Sequence, residues 1–294
     1  MTDKDCTNSR GDEIRETDRR FDRVLRMFGH DGMRRLENAH VMIIGVGGVG
    51  SWAAEAVTRS GVGRVTVVDG DYVCIRNFNR QLQAVDGVVG KLKADVLAQR
   101  LRLINPSAEI VSVPRYFTQD NADEMLTPRP DFLIDAIDHV TSKCFLIDYC
   151  RRSGIPFISS TGSGGRVDPT QVRVVDLGLT QIDPLARALR QILRSKYGYH
   201  RKGKFGVNTV CSTEIPLEPQ DADGVSSCKN GCLCPNGENE FQSCTKKGVV
   251  LGTVMFATAA FGMVCASSAV RHIAAGGTEP ENPAEKEGDN DKSV

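Results

Sequence analysis

Polar and charged side chains in the first half of the chain have the composition of a site for a triphosphate and a divalent cation. The segment after residue 68 supplies carboxylates, amides and an arginine, a basic pair opens the next predicted helix, and one more carboxylate follows the run "FLIDAI". The residues concerned are Asp69, Asp71, Asn77, Asn79, Arg80, Gln81, Lys91, Lys93 and Asp138. A guanidinium binds phosphate through paired hydrogen bonds, and a carboxylate opposite a triphosphate is a natural Mg²⁺ ligand. We therefore predict ATP as the ligand, Mg²⁺ at Asp138, and catalytic roles for Arg80, Lys93 and Asp138.

A glycine-rich loop with the spacing G-x-G-x-x-G follows the apolar run "VMII". Its backbone N–H groups stand at the start of a predicted helix and suit any phosphate, so Gly45, Gly47, Gly48 and Gly50 are predicted to bind phosphate without identifying the nucleotide. With Asp69 as a ribose ligand, the loop also fits an NAD site. A triphosphate benefits from more cationic groups than a pyrophosphate does, and the residues that follow Asp69 therefore favour ATP.

Short apolar runs alternate with amphipathic stretches along the chain, which predicts the elements that must position these side chains. The predicted strands cover residues 41–46, 65–69, 110–113, 132–137, 156–159 and 172–175, and the clearest helices cover 50–60, 91–104 and 141–153. This alternation predicts an α/β fold, a doubly wound, Rossmann-like and mostly parallel sheet with an apolar helical region near the C-terminus. We expect one domain over residues 20–275, a cysteine-rich loop at 226–247, and disordered tails at 1–19 and 276–294.

The overall composition argues against secretion, membrane insertion and a global attraction to polyanions. Lys plus Arg and Asp plus Glu number 37 each, so a polyanionic partner must be bound by a local patch. Residues 1–20 lack the apolar core of a signal peptide, and the ten cysteines are interpreted as thiols in a reducing, cytoplasmic setting. Residues 248–270 carry no charge but are rich in small residues, and we interpret them as a buried or interface helix rather than a membrane span.

The motifs around these residues resemble those of the E1-like (ThiF/MoeB) adenylating superfamily. The segments concerned are "GVGGVGSW", "DGDYVCIRNFNRQ", "VGKLKADV" and "IDAID". The resemblance implies that Gly47 and its neighbours hold the phosphates, that Asp69 binds the ribose, and that Asp138 serves Mg²⁺ and the α-phosphate. It assigns the triphosphate to Asn77, Arg80 and Lys93. It further implies a homodimer in which Arg20 or Arg23 reaches a γ-phosphate, often across the subunit interface.

Other segments are similar to one branch of this superfamily, the tRNA threonylcarbamoyladenosine dehydratases. They read "GVGSWAAEAVTRSGVG", "CRRSGIPFISSTGSGGRVDPTQV", "DPLARALRQILRSKYG" and "STEIP". The resemblance implies ATP-dependent adenylation of the threonyl carboxylate of the modified adenosine in tRNA, followed by cyclisation, a net dehydration of the adenosine, with release of AMP and pyrophosphate. Two alternatives remain open: an E1-like enzyme that adenylates a ubiquitin-like or sulfur-carrier protein, and a non-catalytic or NAD-binding module. A sulfur-transfer protein is a further candidate partner.

A basic stretch independently favours tRNA as a partner. Residues 184–213 contain no Asp or Glu, and their cationic residues are Arg187, Arg190, Arg194, Lys196, Arg201, Lys202 and Lys204. Such a cluster on a neutral protein indicates phosphate-backbone binding, and Tyr197 and Tyr199 among these cations are candidates to stack on unpaired bases. The alternative interpretation is a solvated helix face and loop.

Four cysteines in a polar loop form a second candidate metal site. Cys228, Cys232, Cys234 and Cys244 have the spacing C-x3-C-x-C-x9-C, which lacks the paired CxxC knuckles of carrier-activating relatives. Zn²⁺ held by four thiolates is one interpretation, and free or redox-active thiols are the other. Cys244 is a candidate functional thiol, and His139 is the one histidine placed next to the predicted chemistry.

Overall fold

The computed structural model of the protein describes residues 19–220 and 251–277. Within these two ranges, seven strands form one sheet in the order β3-β2-β1-β4-β5-β7-β6, and of these seven only β6 runs antiparallel to its neighbour. The strands are β1 (His40–Ile44), β2 (Arg64–Val68), β3 (Glu109–Val113), β4 (Phe132–Asp135), β5 (Phe157–Ser160), β6 (Val172–Asp176) and β7 (Asn208–Ser212). The predicted doubly wound, mostly parallel sheet is confirmed.

Helices cover both faces of this sheet. They are α1 (Asp22–Asn38), α2 (Gly50–Arg59), α3 (Lys93–Ile104), α4 (Ala122–Met125), α5 (Val140–Ser153), α6 (Pro184–Lys196) and α7 (Met255–Ala274). Successive residues of a strand point to opposite faces. Accordingly, Val41 and Ile43 pack with α1, α2, α3 and α7, whereas Met42 and Ile44 pack with α4 and α5.

The uncharged C-terminal stretch forms α7, which packs against α2 behind the glycine loop. A Cβ atom at Gly262 would lie 2.5 Å from the Val49 carbonyl oxygen, so this position of α7 must be small. Within residues 19–220 and 251–277, no helix is long and apolar enough to cross a membrane. The predicted helix is confirmed for Met255–Ala274, and half of its residues are buried.

Several boundaries differ from the predicted ones. Strand β1 ends at Ile44 because Gly45 turns with φ +88°, and β4 ends at Asp135, whose carboxylate accepts a hydrogen bond from the Ile137 N–H. Strand β7 and helix α1 were not predicted. The predicted tails lie mostly, and the cysteine-rich loop entirely, outside the described residues.

The strand order creates the crevice in which the site lies. Strand β1 has β2 on one side and β4 on the other, so the chain direction across the sheet switches between β1 and β4. Ligands of such sheets bind at the carboxyl ends of the strands at this switch point. The glycine loop follows β1 and Asp138 follows β4, which brings both to the same crevice.

Candidate functional site

A cleft of about 710 Å³ opens at the carboxyl edge of the sheet. Most of the predicted nucleotide-binding residues line it, namely Gly45, Gly47, Gly48, Asp69, Asp71, Asn77, Arg80, Gln81, Lys93 and Asp138. Lys91 is exposed and does not line the cleft. Residues separated by more than ninety positions in the sequence therefore share one cavity.

The glycines of the loop have different tasks. A Cβ atom at Gly45 would lie 2.6 Å from the Ala136 carbonyl oxygen, and one at Gly50 would lie 1.8 Å from the Gly45 carbonyl oxygen. These two glycines let the turn close against β4 and the start of α2. Gly47 faces open space, since a Cβ atom at this position would have the Gln81 Nε2, 3.8 Å away, as its nearest neighbour. Gly47 therefore leaves room for a phosphate at the N-terminus of α2.

The Asp69 side chain stabilises the glycine loop through hydrogen bonds. Its carboxylate accepts hydrogen bonds from the Val46 N–H and the Asp71 N–H, both at 2.8 Å. Burial raises the pKa of this carboxyl, although Lys93 opposes the shift. Asp69 thus holds the phosphate loop and the segment after β2 together, and its position in the cleft lining is compatible with the predicted ribose contact.

Lys93 is buried in a network of three side chains. Its Nζ lies 2.8 Å from the Asp71 Oδ2, and the Tyr116 hydroxyl donates to the Asp71 Oδ1. Burial alone would lower the pKa of Lys93, but Asp69, Asp71 and the hydrogen bond to Asp71 outweigh it and raise the pKa. Lys93 is therefore a fixed cation at the cleft. Tyr116 was not predicted, because nothing around it in the sequence marks it as part of the site.

Arg80 is held along the wall of the cleft. Its Nη1 donates to the Arg76 carbonyl oxygen and to the Asn79 Oδ1, each at 2.9 Å, and the Trp52 indole N–H donates to the Arg80 carbonyl oxygen. Burial lowers the pKa of the guanidinium and the nearby Asp138 opposes this, but an arginine stays charged at neutral pH. The guanidinium is thus preorganised to meet an anion.

The amides beside Arg80 shape this segment. The Asn77 Oδ1 accepts a hydrogen bond from the Cys74 N–H, and the Asn79 Nδ2 donates to the Thr253 carbonyl oxygen at 2.7 Å. Asn77 is buried at the cleft, whereas Asn79 ties the Arg80 segment to the chain that leads into α7.

Asp138 projects from the turn after β4. It is exposed in the cleft, and its charge acts on both Arg80 and Lys93. The next residue, His139, lines the cleft and caps α5, because its Nδ1 accepts from the Ser142 N–H. Asp138 thus joins the two cations in one electrostatic site.

The oxygen ligands available in the cleft suit a divalent cation that is bound partly by the protein and partly by the phosphates of a nucleotide. Within residues 19–220 and 251–277, no three His, Cys, Asp or Glu side chains converge as a protein-only metal cage. Mg²⁺ is commonly held by one or two carboxylates together with substrate phosphates and water. One exposed carboxylate, Asp138, facing a phosphate loop fits that mode.

A second wall of the cleft was not predicted. It is formed by the turn after β5, the start of α6 and the segment before α7, and comprises Ser160, Thr161, Gly162, Ser163, Gly164, Leu185, Leu251 and Thr253. A Cβ atom at Gly162 would lie 3.1 Å from the Asp183 Oδ2, and one at Gly164 would lie 3.0 Å from the Leu251 Cβ. The glycine-rich "TGSGG" after a predicted strand was the available signal.

The structure does not bring Arg23 to the cleft of its own chain. Arg23 is exposed on α1, and the adjacent Phe21 packs against Gly61, just beyond the C-terminal end of α2. The glycine loop lies at the other end of α2, about 15 Å away for ten residues at 1.5 Å each. The γ-phosphate contact of Arg20 or Arg23, expected often across a dimer, therefore stays a prediction.

The basic residues of the 184–213 stretch lie on α6 and the loop that follows it. Asp183 caps α6 by accepting from the Ala186 N–H, and Pro184 occupies the first turn. The exposed cations are Arg187, Lys196, Arg201, Lys202 and Lys204, while Arg190 and Arg194 are partly buried. Leu185 at the start of α6 lines the cleft, so this basic surface begins at the rim of the cleft.

The expected stacking role of Tyr199 is wrong. Only 6% of Tyr199 is exposed, its ring packs on Phe205, and the Arg151 guanidinium lies over it at 4.8 Å. The ring is buried in an apolar cluster with residues of α5 and α6, where it is removed from water. Tyr197 is partly buried against the same cluster.

Among the described cysteines, Cys144, Cys150, Cys211 and Cys265 are buried, whereas Cys74 is partly exposed. Burial raises the pKa values of Cys144 and Cys265 to about 12 each, which disfavours the reactive thiolate. The candidate zinc ligands Cys228, Cys232, Cys234 and Cys244 lie outside the described residues, and Zn²⁺ binding stays a prediction.

Comparisons with known proteins converge on one family. The ThiF family matches residues 21–287. The chain is 40% identical to the tRNA threonylcarbamoyladenosine dehydratase of Escherichia coli, over 87% of this chain and 94% of that protein. A crystal structure of the Escherichia coli dehydratase in complex with ATP matches with a TM-score of 0.75 at 38% identity, over 87% of this chain and 94% of the other. The sulfur carrier protein adenylyltransferase of Thermus thermophilus is 34% identical, but over only 46% of this chain and 49% of that protein.

Proposed function

The chain belongs to the ThiF family, and on this premise we propose that it is an ATP-dependent tRNA threonylcarbamoyladenosine dehydratase. It adenylates the threonyl carboxylate of N6-threonylcarbamoyladenosine in tRNA and then cyclises the modified base. The observation that carries the proposal is the similarity to a dehydratase over nearly its whole length. The cleft supports it with a phosphate loop, two cations and one exposed carboxylate.

Two steps account for the reaction. In the first, a threonyl carboxylate oxygen attacks the α-phosphorus of ATP, and pyrophosphate leaves. In the second, the neighbouring ureido group attacks the activated carbonyl carbon, its proton is lost, and AMP leaves with the oxygen that came from the carboxylate. The substrate supplies both nucleophiles, so the enzyme needs no cysteine for a thioester.

The described side chains contribute position and charge to the first step. The N–H groups at the start of α2 and the Arg80 guanidinium bind the triphosphate, and the Lys93 ammonium stabilises charge that develops on the α-phosphate. Asp69 and Asn77 complete the nucleotide contacts. Asp138 would hold Mg²⁺, which supplies charge neutralisation along the phosphates when bound.

The exposed cations of α6 and the 201–204 loop would bind the tRNA backbone. They begin beside the cleft, so a tRNA bound there can present an anticodon-loop base to the second wall around Gly162. Residues 184–213 contain no Asp or Glu, so no carboxylate within this stretch offsets their charge. Arg190 and Arg194 would add charge from partly buried positions.

A homodimer is the proposed assembly. Helix α7 exposes 47% of Met255, 51% of Phe256 and 42% of Met263, which is a large apolar surface for a solvated helix face. A second copy is the expected cover, and it would bring Arg20 or Arg23 near the γ-phosphate of its neighbour. A sulfur-transfer partner and a cytoplasmic location stay predictions.

Mass analysis of the tRNA nucleosides tests the function. The protein is incubated with ATP, Mg²⁺ and tRNA that carries the threonylcarbamoyl group, and the digested nucleosides are weighed. Loss of one water from the modified adenosine, dependent on ATP, is expected. An unchanged nucleoside together with pyrophosphate exchange that requires a ubiquitin-like carrier would instead support the carrier-activating alternative.

A further inference from the structure

A fully buried ion pair lies behind the turn that presents Asp138, and neither step of the proposed reaction uses it. The Lys143 Nζ of α5 lies 2.9 Å from the Asp135 Oδ2 at the end of β4. Both side chains are 0% exposed, so neither touches the cleft. The charges are paired, but the pair lies only a few residues from the predicted catalytic carboxylate.

The Asp135 carboxylate joins four parts of the chain. Its Oδ2 accepts from the Ser159 hydroxyl of β5 at 2.7 Å as well as from Lys143. Its Oδ1 accepts from the Ile137 N–H at 3.1 Å, within the turn itself. The carboxylate therefore ties β4, β5, α5 and the 136–138 turn to one point.

Lys143 fixes the other side of the turn. Its Nζ also approaches the Asp135 carbonyl oxygen at 3.4 Å, and its backbone N–H donates to the His139 carbonyl oxygen in the first turn of α5. Asp138 thus lies between two anchored points, the Ile137 N–H before it and the His139 cap after it.

Stability alone does not explain such a pair. Desolvating two charges costs about as much as their attraction returns, and apolar residues of similar volume are often equally stabilising. The geometry therefore favours a role in placement over a role in stability. A carboxylate that must meet both a phosphate and two cations needs such placement, because small displacements of reacting groups cost large factors in rate.

We propose that Asp135, Lys143 and Ser159 are positioning residues that hold the 136–139 turn so that the Asp138 carboxylate faces Arg80 and Lys93 in the cleft. The inference rests on the proposed function for its kinetic readout. None of the three residues lines the cleft, so we expect them to act on the rate of reaction rather than on ATP affinity.

Two double variants separate placement from stability. Asp135→Leu with Lys143→Met removes both charges and the acceptor of the Ile137 N–H, whereas Asp135→Asn with Lys143→Met removes the charges but keeps a side-chain acceptor. The first is expected to lower kcat at least about tenfold with an unchanged KM for ATP, and the second to retain more of the kcat. Equal kcat in the Leu/Met variant and the unmodified enzyme would overturn the proposal.

A control pair on other elements reports on the loss of an ion pair with one buried partner. Glu55 of α2 is 7% exposed at its side chain and accepts from the Arg100 Nε of α3 at 2.8 Å, away from the turn. Glu55→Gln with Arg100→Gln should change the melting temperature but leave kcat and the KM for ATP unaltered. A loss of kcat in this control equal to that of the Leu/Met variant would also contradict the proposal.

Ser159→Ala provides the test if the Leu/Met variant does not fold. It removes one hydrogen bond to Asp135 and leaves the ion pair intact. We expect a lower kcat, an unchanged KM for ATP and faster amide exchange in a peptide covering residues 136–142; unchanged kcat and unchanged exchange would reject the role. The unmodified enzyme is the reference: if it forms no cyclic product, the proposed function fails, and the exchange measurement still tests the placement of the turn.

Discussion

The Lys93 ammonium lies 2.8 Å from the Asp71 carboxylate, so the main cation of the cleft is already paired before any phosphate arrives. The pair is buried, and Tyr116 donates to the same carboxylate. Asp71 thus fixes the position of the Lys93 ammonium at the cleft. A preorganised charge of this kind stabilises a transition state without reorganising during the reaction.

Replacement of Lys93 should therefore damage the chemical step. Lys93→Met is expected to lower kcat about a hundredfold, and Asp71→Asn to lower it less, because the ammonium remains but loses its support. Single-turnover formation of cyclised tRNA measures both. Lys91→Met, at an exposed position outside the cleft, is the matched control and should leave kcat unchanged; equal losses in the Lys91 and Lys93 variants would contradict the assignment.

Two glycines of the same loop should respond differently to alanine. Gly50→Ala places a Cβ 1.8 Å from the Gly45 carbonyl oxygen and is expected to destabilise the protein by about 2–4 kcal/mol. Gly47→Ala meets nothing closer than 3.8 Å in the protein and should keep its stability, but the methyl group occupies phosphate space and should weaken ATP binding. Urea unfolding and ATP titration separate the two effects, and an opposite pattern would contradict the loop geometry.

His40 should make stability depend on pH below neutrality. Burial lowers the pKa of His40 to about 4, and its Nε2 is 2.8 Å from the Thr66 Oγ1. In the unfolded chain this histidine binds a proton near pH 6.5, whereas in the folded protein it stays neutral until about pH 4. The free energy of unfolding is therefore highest above pH 6.5 and falls as the pH drops towards about 4. The loss between pH 7 and pH 5 is about 2 kcal/mol. Urea unfolding of His40→Asn should show a smaller loss over the same range, and an identical loss would exclude His40 as the cause.

Charge reversal on the basic surface should affect tRNA but not ATP. Glutamate in place of Arg187, Lys196, Arg201, Lys202 and Lys204 should weaken tRNA binding and flatten its dependence on salt, since each lost phosphate contact reduces the slope. The affinity for ATP should not change. The control variant, Arg26→Glu with Arg34→Glu, reverses two exposed charges on α1. Equal tRNA affinity in the five-residue variant and the unmodified protein would exclude this surface as the tRNA-binding site.

The fold was predictable because its signal is periodic and local. Buried parallel strands such as 41–44 are continuous apolar runs, and glycine at 45 and 50 marks the turn into α2 whatever the ligand. Strand β7 escaped prediction because its segment, "NTVCS", is short and half polar. Its place in the sheet depends on pairing with β5 and β6, which no local pattern shows.

The site was predictable in its residue types and less so in its contacts. Arg80, Lys93 and Asp138 were recognisable as chemistry-bearing residues after predicted strands, and the structure brings all three to one cleft. The contacts around Lys93 could not be predicted from the sequence. Tyr116 follows a different strand from Asp71, and only the order of the strands in the sheet places the two side chains together. The predicted stacking role of Tyr199 was wrong for a related reason. The sequence shows an aromatic residue among cations, but it does not show the apolar cluster that buries the ring.

The origin of the oxygen that leaves with AMP tests the central claim most directly. The tRNA substrate is prepared with both oxygens of the threonyl carboxylate replaced by a heavy isotope and is reacted to completion with unlabelled ATP and Mg²⁺. Adenylation of that carboxylate predicts AMP with one heavy oxygen, unlabelled pyrophosphate, and a cyclic product that keeps the other heavy oxygen. Cyclic product formed with unlabelled AMP would contradict the claim that this cleft activates the carboxylate by joining it to the α-phosphate of ATP.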